Sequence, residues 1–161
     1  MSESHRELIH RLYLALDRRD GDTMAACYHR DATFVDPVFE LNGADEVGGM
    51  WRMLTSRATD LRCEARDIVA DATRGSASWI ANYTFTGTGR KVENRIDSRF
   101  RFADGLIVEQ VDTFPFWRWA SQALGPAGLL LGWTPIIHGR VRRQARQNLE
   151  RFMAQARAAG A

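Results

Sequence analysis

The chain has 161 residues, 45% of them hydrophobic, and a formal net charge of +2, which describes one domain able to bury a core and enclose one pocket. Cys27 and Cys63 are too few and too far apart for a metal cluster or disulfide framework, and they read as buried thiols in a reducing, cytoplasmic setting without cofactor or metal. Residues 138–161 hold six arginines and one glutamate, a net of +5 that leaves −3 for the rest, but confined to one terminal helix these charges describe a solvated face and not a nucleic-acid surface.

Met1 to Glu7 is polar and lacks the apolar run of a secretory signal. Ser4-x-x-Glu7 is a capping box and predicts a helix to about Arg19, with Leu8, Leu12 and Leu16 as its buried stripe and Tyr13 close by. Asp20-Gly21-Asp22 breaks it, and Asp22 is placed to cap a short second helix through Tyr28. Asp31-Ala32-Thr33-Phe34-Val35-Asp36-Pro37 then alternates as a short strand, and Pro37 ends it because proline has no N–H for a sheet ladder. Asp36 therefore stands at the lip of whatever the sheet encloses. A carboxylate there can act as an acid–base group or can simply cap its own turn, and the pattern alone favours the cap. Phe39 to Gly43 reads as a loop. Val47, Met50, Trp51 and Leu54 then mark an amphipathic helix beginning near Ala44, in which Gly48-Gly49 permits close packing.

From Leu61 to Phe116 the period changes to two. Four strands, at about 61–71, 75–86, 91–103 and 106–116, are joined by turns at Asp71–Arg74, Gly87–Gly89 and Asp104-Gly105, a meander of antiparallel hairpins. Helices followed by such a meander give an α+β domain with helices on one face of the sheet. Parity places Trp79, Ala81, Tyr83 and Phe85 on one face, and Asn94, Ile96, Ser98, Phe100 and Phe102 opposite a charged row of Arg95, Asp97, Arg99 and Arg101 that faces water or a partner. On the last strand Leu106, Val108, Gln110, Asp112, Phe114 and Phe116 share a face, so Asp112 falls among apolar neighbours.

After Pro115 the chain changes character. Phe116-Trp117-Arg118-Trp119-Ala120 starts a short helix, and Leu124 to Ile137 is almost wholly apolar but interrupted by Gly125, Pro126, Gly128, Gly132 and Pro135. That run is too short and broken to span a membrane. A cover over a pocket mouth anchored by Trp117, Trp119 and Trp133 is the favoured expectation, against a dimer contact or a membrane-surface patch. A terminal helix follows, with Val141, Ala145, Leu149, Phe152 and Ala156 as its seam.

The order helix, short helix, "DATFVDP", helix and four-stranded meander, with Leu16 to Asp22, "GRK" at Gly89 to Lys91 and "FRF" at Phe100 to Phe102, resembles the nuclear transport factor 2-like superfamily, in its SnoaL-like and ketosteroid isomerase-like branch. The resemblance covers about residues 5–116. It implies a SnoaL-like domain over 1–116, with 117–161 as a C-terminal helical extension packed on it. It also implies a cone-shaped, strongly curved, mostly antiparallel sheet wrapped by the N-terminal helices around an apolar pocket. Ketosteroid isomerases use an aspartate base with an oxyanion hole of a tyrosine and a protonated aspartic acid. The base position falls on Asp36, whereas ungapped counting puts the tyrosine position at Leu12 and the acid position at Ser98, so those two roles do not carry over. In SnoaL-like polyketide cyclases and limonene epoxide hydrolases an acidic residue on the last inward strand takes part in chemistry, which here is Asp112. Epoxide hydrolysis also needs an Arg and an Asp two apart on an inward strand, and Asn82-Tyr83-Thr84 has neither.

Three readings follow. In the first, the chain is a cofactor-independent isomerase- or cyclase-type enzyme in which Asp36 takes a proton next to a carbonyl and a protonated Asp112 donates to the developing oxyanion. Tyr83, Asn94 and Ser98 would add hydrogen bonds, and Trp79, Phe85, Phe100 and Phe114 would hold a planar apolar substrate. In the second, the same pocket binds an apolar small ligand without turnover, and Asp112 is a satisfied polar group bonded to Tyr83 or Trp79. In the third, the apolar segment and outer sheet face build an assembly. Two inward carboxylates are costly in a site that only binds apolar molecules, which favours the enzyme. The expected partners are an apolar small molecule and a second copy in a homodimer, with membrane-surface contact not favoured and no nucleic acid.

Overall fold

The computed structural model describes residues 2–160; Met1 and Ala161, the outermost residues of the two expected segments, lie outside them. The elements are α1 (Ser2–Asp17), α2 (Gly21–Ala25), β1 (Tyr28–Val35), β2 (Glu40–Asn42), α3 (Ala44–Arg57), β3 (Arg62–Ala70), β4 (Arg74–Phe85), β5 (Arg90–Ala103), β6 (Leu106–Thr113), α4 (Phe116–Leu124), α5 (Pro126–Leu131) and α6 (Pro135–Gly160). Helix α1 is already helical at Ser2, so Ser4 is not its cap. The α2 cap is Asp20 instead of Asp22, its carboxylate accepting from the Thr23 N–H, and the helix stops at Ala25, short of Tyr28. Between Asp36 and Gly43 the expected loop contains the edge strand β2, with Phe34 opposite Leu41. Its single apolar residue, Leu41, gave no alternation from which to read it.

The six strands run β2-β1-β6-β5-β4-β3, every pairing antiparallel except β1 with β6. The expectation of a strongly curved, cone-shaped sheet is corrected: the sheet is open and mixed, with β2 and β3 as edges that do not meet. Closure would require those edges to pair, and the β3 edge is occupied by α1 instead. Asp17 Oδ1 accepts from the Cys63 N–H at 2.8 Å, Arg6 donates to the Ile68 carbonyl at 3.2 Å, and Arg19 donates to the Leu61 carbonyl at 2.8 Å. Side chains thus take the place of a further strand, one of the ordinary ways to protect a sheet edge.

Leu8, Ile9, Leu12 and Leu16 of α1 and Val47, Met50 and Trp51 of α3 fill the inner face of the sheet with Phe34, Trp79, Phe100 and Ile107. On β6 parity breaks. A register shift beside Phe102 turns Ile107 inward in place of Val108, after which Gln110 and Asp112 resume the inward side. Arg95, Asp97, Arg99 and Arg101 lie exposed on the outer face, where a groove of about 800 Å³ runs along Arg74, Arg99, Arg101 and Glu109. No helix among the described residues is long and apolar enough to cross a membrane.

Asp17 holds α1 to the edge strand through the Cys63 N–H and the Arg62 guanidinium, which together keep its carboxyl below the usual range. Asp17→Ala is expected to cost about 1–2 kcal/mol in urea unfolding at pH 7. A group with a lowered folded pKa stabilises above its unfolded value and loses that contribution as pH falls through the folded one. The wild-type advantage should therefore shrink below about pH 4.

Candidate functional site

Strand register brings two carboxyl groups together. In the parallel pair Phe34 lies beside Gln110 and Val35 beside Val111, so one further step sets Asp36 level with Asp112 on the neighbouring strand. Both side chains have the inward parity of Phe34 and Gln110. Pro37 then turns the chain, and Asp36 Oδ1 accepts from the N–H groups of Val38 at 2.7 Å and Phe39 at 2.6 Å. Asp36 therefore does cap its own turn, but with one oxygen only. Half-buried at the lip, its carboxyl is raised to about 6 by desolvation, against the pull of those two N–H groups and of the Arg142 charge.

Asp112 lies deeper, 3% exposed. Ser98 Oγ donates to its Oδ1 at 2.5 Å and Gln110 Nε2 to the same oxygen at 3.0 Å. Two indoles anchor the network behind these bonds, because an indole N–H can only donate. Trp51 donates to Tyr28 Oη, Tyr28 donates to Gln110 Oε1, and the Gln110 amide nitrogen donates to Asp112. Trp79 and Tyr13 both donate to Ser98 Oγ, so the single Ser98 proton goes to Asp112. Oδ1 is thus only an acceptor, and a proton on Asp112 resides on Oδ2. No hydrogen bond among the described residues reaches Oδ2. Since no enclosed side-chain polar atom there is without a partner, Oδ2 borders open space.

Burial raises the Asp112 carboxyl to about 7 against the pull of its two donors, and the nearby Asp36 charge adds to the rise. The Asp36 charge also reaches Tyr83, whose hydroxyl accepts from Trp119 Nε1 at 2.8 Å and is pushed up to about 12, chiefly by burial. Asp36, Asp112 and Tyr83 therefore form one electrostatic neighbourhood. Trp119 roofs it, packed edge-on against Phe85 and beside Phe116, with Phe114 in the same cluster.

The remaining sequence-selected residues divide by position. Asn94 is buried on the inward face and makes no side-chain hydrogen bond to a described residue, which leaves its amide open to a ligand. Ser98 and Trp79 stand behind Asp112, with the Ser98 proton and the Trp79 N–H already committed. Phe100 packs deep in the core against Tyr13 and Phe102, away from the lip. Tyr13, Tyr28, Trp51 and Gln110 were missed as site residues. Only the inward parity of Gln110 beside Asp112 pointed to any of them.

The expected cover is corrected in its identity. Helix α4 packs Trp119 on Tyr83, and α6 reaches the Pro37 turn, where His138 and Arg142 both bond the Pro37 carbonyl. The leucines of α5, with Trp117 and Trp133, are instead exposed. Among the described residues no group of three or more His, Cys, Asp or Glu is placed to hold a metal ion.

The model of the SnoaL-like domain matches residues 9–110. No protein of curated function matches the chain by sequence. Among solved structures, a protein with a ketosteroid isomerase-like fold from Catenulispora acidiphila, in complex with trimethylamine, is 14% identical, with a TM-score of 0.66 over 80% of this chain and 98% of that one. A candidate polyketide cyclase from Silicibacter sp. TM1040 is 24% identical, with a TM-score of 0.63 over 76% and 96%. An epoxide hydrolase of the LEH-like type from M. tuberculosis is 18% identical, with a TM-score of 0.63 over 81% and 98%. At these identities the likeness is one of fold.

The raised Asp112 has a measurable consequence. A carboxyl with a raised folded pKa binds its proton more tightly folded than unfolded, so its burial costs stability progressively as pH rises from about 4 through about 7, and the loss then levels off. Urea unfolding of the wild type should show this fall between pH 5 and pH 8, on the order of 2–4 kcal/mol. Asp112→Asn, which keeps an acceptor for Ser98 and Gln110, should flatten most of it.

Proposed function

The chain belongs to the SnoaL-like family of the nuclear transport factor 2-like superfamily, and on that premise we propose that it is a cofactor-independent enzyme performing acid–base chemistry next to a carbonyl on an apolar small molecule. Residues 1–116 form its SnoaL-like domain in this reading, and 117–161 a helical extension that covers the site. One observation carries the proposal: the β1–β6 register, continued one step past Val35 and Val111, sets Asp36 beside Asp112, each carboxyl with one oxygen held by donors and the other without a partner among the described residues.

Their settings divide the work. Asp36, held lower by two backbone N–H groups and Arg142, is the carboxylate and base. Asp112, deeper and surrounded by neutral donors, keeps its proton on Oδ2 and is the acid. Asp36 removes a proton from the carbon next to the substrate carbonyl. The electron pair moves into the carbon–carbon bond and onto the carbonyl oxygen, which Asp112 meets with its O–H. Returning the proton from Asp36 to a different carbon completes an isomerisation; attack of the same carbanion on a second carbonyl closes a ring, and the alkoxide so formed takes the proton back from Asp36. Tyr83 and Asn94 supply further hydrogen bonds, and Phe85, Phe114 and Trp119 an apolar wall. Carbonyl chemistry fits these groups better than epoxide opening, since Asn82-Tyr83-Thr84 has no Arg–Asp pair. The relative that holds trimethylamine supports a site for small molecules in this fold.

The test is deuterium exchange next to the carbonyl in a panel of cyclic ketones and diketones, followed by NMR in heavy water. Asp36→Asn should slow exchange by about 10²–10⁴-fold while ketone binding, read by thermal shift, is retained; Asp112→Asn should slow it by about 10²-fold or more. Binding with no exchange in the wild type would establish the alternative, a binding protein without turnover.

A further inference from the structure

Helices α4 and α5 pack in reverse of the usual order. The side of α5 that meets α4 is made of glycine: a Cβ on Gly128 would stand 1.8 Å from the Ala120 carbonyl oxygen, and one on Gly132 2.8 Å from the Ala120 Cβ. With glycine inside, the large side chains are left outside. Leu130 is 68% exposed and Trp133 72%, with Leu129, Leu131 and Trp117 about half exposed, and the next helix begins with Ile136 at 77%. The hairpin is nonetheless held in place. Trp117 Nε1 donates to the Leu129 carbonyl at 3.1 Å and Trp133 Nε1 to the Leu130 carbonyl at 3.0 Å. A fixed apolar ridge of this size is a binding surface by its physics.

Charge identifies the occupant. From Thr113 to Leu149 the chain contains no aspartate or glutamate and five arginines. On α6, Ile136, Arg140 and Arg143 follow at i, i+4 and i+7 and so share one face, directly opposite Ala145, Leu149 and Phe152, which pack toward the core. Arg142 and Arg146, turned toward the protein, pair with Glu40 and with Glu46 and Glu150. Arg140, Arg143 and Arg118 are exposed and in no ion pair with a described residue. Aliphatic and tryptophan side chains on a rigid ridge, flanked by unpaired arginines and free of acidic residues, have the composition of an interfacial membrane contact.

We propose that this face docks on an anionic lipid membrane, with Leu130, Trp133 and Ile136 entering the boundary between headgroups and acyl chains while Arg118, Arg140 and Arg143 meet lipid phosphates and carboxylates. The contact is peripheral and is independent of the chemistry proposed for Asp36 and Asp112. It turns the outer side of α4, whose inner side roofs the site, toward the medium in which an apolar molecule concentrates.

The full chain is floated with phosphatidylcholine vesicles containing 30% phosphatidylserine, and with phosphatidylcholine alone. Association with the anionic vesicles is expected, weakened at least tenfold by half-molar salt and by the neutral lipid. Leu130→Ser with Trp133→Ser, and separately Arg140→Glu with Arg143→Glu, should each lower the partition at least tenfold; all four residues face outward, and circular dichroism verifies that the variants fold. Absence of anionic-vesicle binding at millimolar lipid overturns the proposal, as does binding indifferent to both pairs of substitutions. A wild-type dimer in light scattering that Leu130→Ser with Trp133→Ser converts to monomer also overturns it, assigning the ridge to a second copy of the chain.

Discussion

A carboxyl group almost wholly removed from water is the constraint around which this molecule is arranged. An isolated buried carboxylate is too costly to maintain, so it must attract donors, bind a proton, or both. Asp112 has attracted two donors, and burial raises its carboxyl to about 7. The donors converge from the whole fold: Tyr13 from α1, Tyr28 from β1, Trp51 from α3, Trp79 from β4, Ser98 from β5 and Gln110 from β6 itself. The two indoles, which can only donate, anchor this network at Tyr28 and Ser98. The network that stabilises the interior therefore also fixes which oxygen of Asp112 can carry a proton toward a ligand. In the proposed reading, the orientation of the acid and the stability of the core rest on the same bonds.

The parallel β1–β6 pairing supplies the second half of the arrangement. In an otherwise antiparallel sheet it brings the end of β1 beside the end of β6, so that the residue where Pro37 stops one strand lies level with Asp112 on the other. The hairpin into β2 closes through the Asp36 carboxylate, which fixes one oxygen and orients the other. Helix α6 steadies the turn from outside, since His138 stacks on Phe116 while bonding the Pro37 carbonyl. Residues distant in sequence thereby hold a lip that the strand itself only begins.

Much of this was legible in the sequence because period-two alternation is a direct record of which side chains face inward. Asp36, Asp112, Ser98, Tyr83 and Asn94 could be placed on one face from parity, and the strand order around "DATFVDP" carried the family. Parity records no sideways distance, however. The shift near Phe102 that turns Ile107 inward leaves no mark in the composition. The path from Trp51 through Tyr28 to Gln110 crosses three elements. Tyr13 was set aside because an ungapped count gave its neighbour Leu12, whereas both prove buried: a helix that packs broadly turns adjacent positions to the sheet. The openness of the sheet was equally hidden, because it depends on Asp17, Arg6 and Arg19 satisfying an edge from another element. The exposure of α5 was hidden for the opposite reason. Hydrophobicity implies burial on average, and only the depth of Gly128 against Ala120 shows that this helix is inverted.

The separation of acid from base is the last point that the geometry explains. Both carboxyls are raised by the same cause, loss of water, and the Asp36 charge makes ionisation of Asp112 harder still. What distinguishes them is the kind of opposition. Asp36 has two backbone N–H groups on one oxygen and the Arg142 guanidinium nearby, and it lies only half-buried. Asp112 has a hydroxyl and an amide, both neutral, and is deeper. The two backbone N–H groups, with a smaller pull from Arg142, hold Asp36 at about 6 against about 7 for Asp112, so Asp36 loses its proton first. That first charge then helps to hold the proton on Asp112. Two residues of one chemical type are thereby driven toward different protonation states near neutral pH, which is what the proposed acid–base chemistry would use. The two backbone N–H groups of the Pro37 turn are the main opposition to the rise at Asp36, and Arg142 of α6, in the segment beyond the matched domain, adds a smaller pull in the same direction.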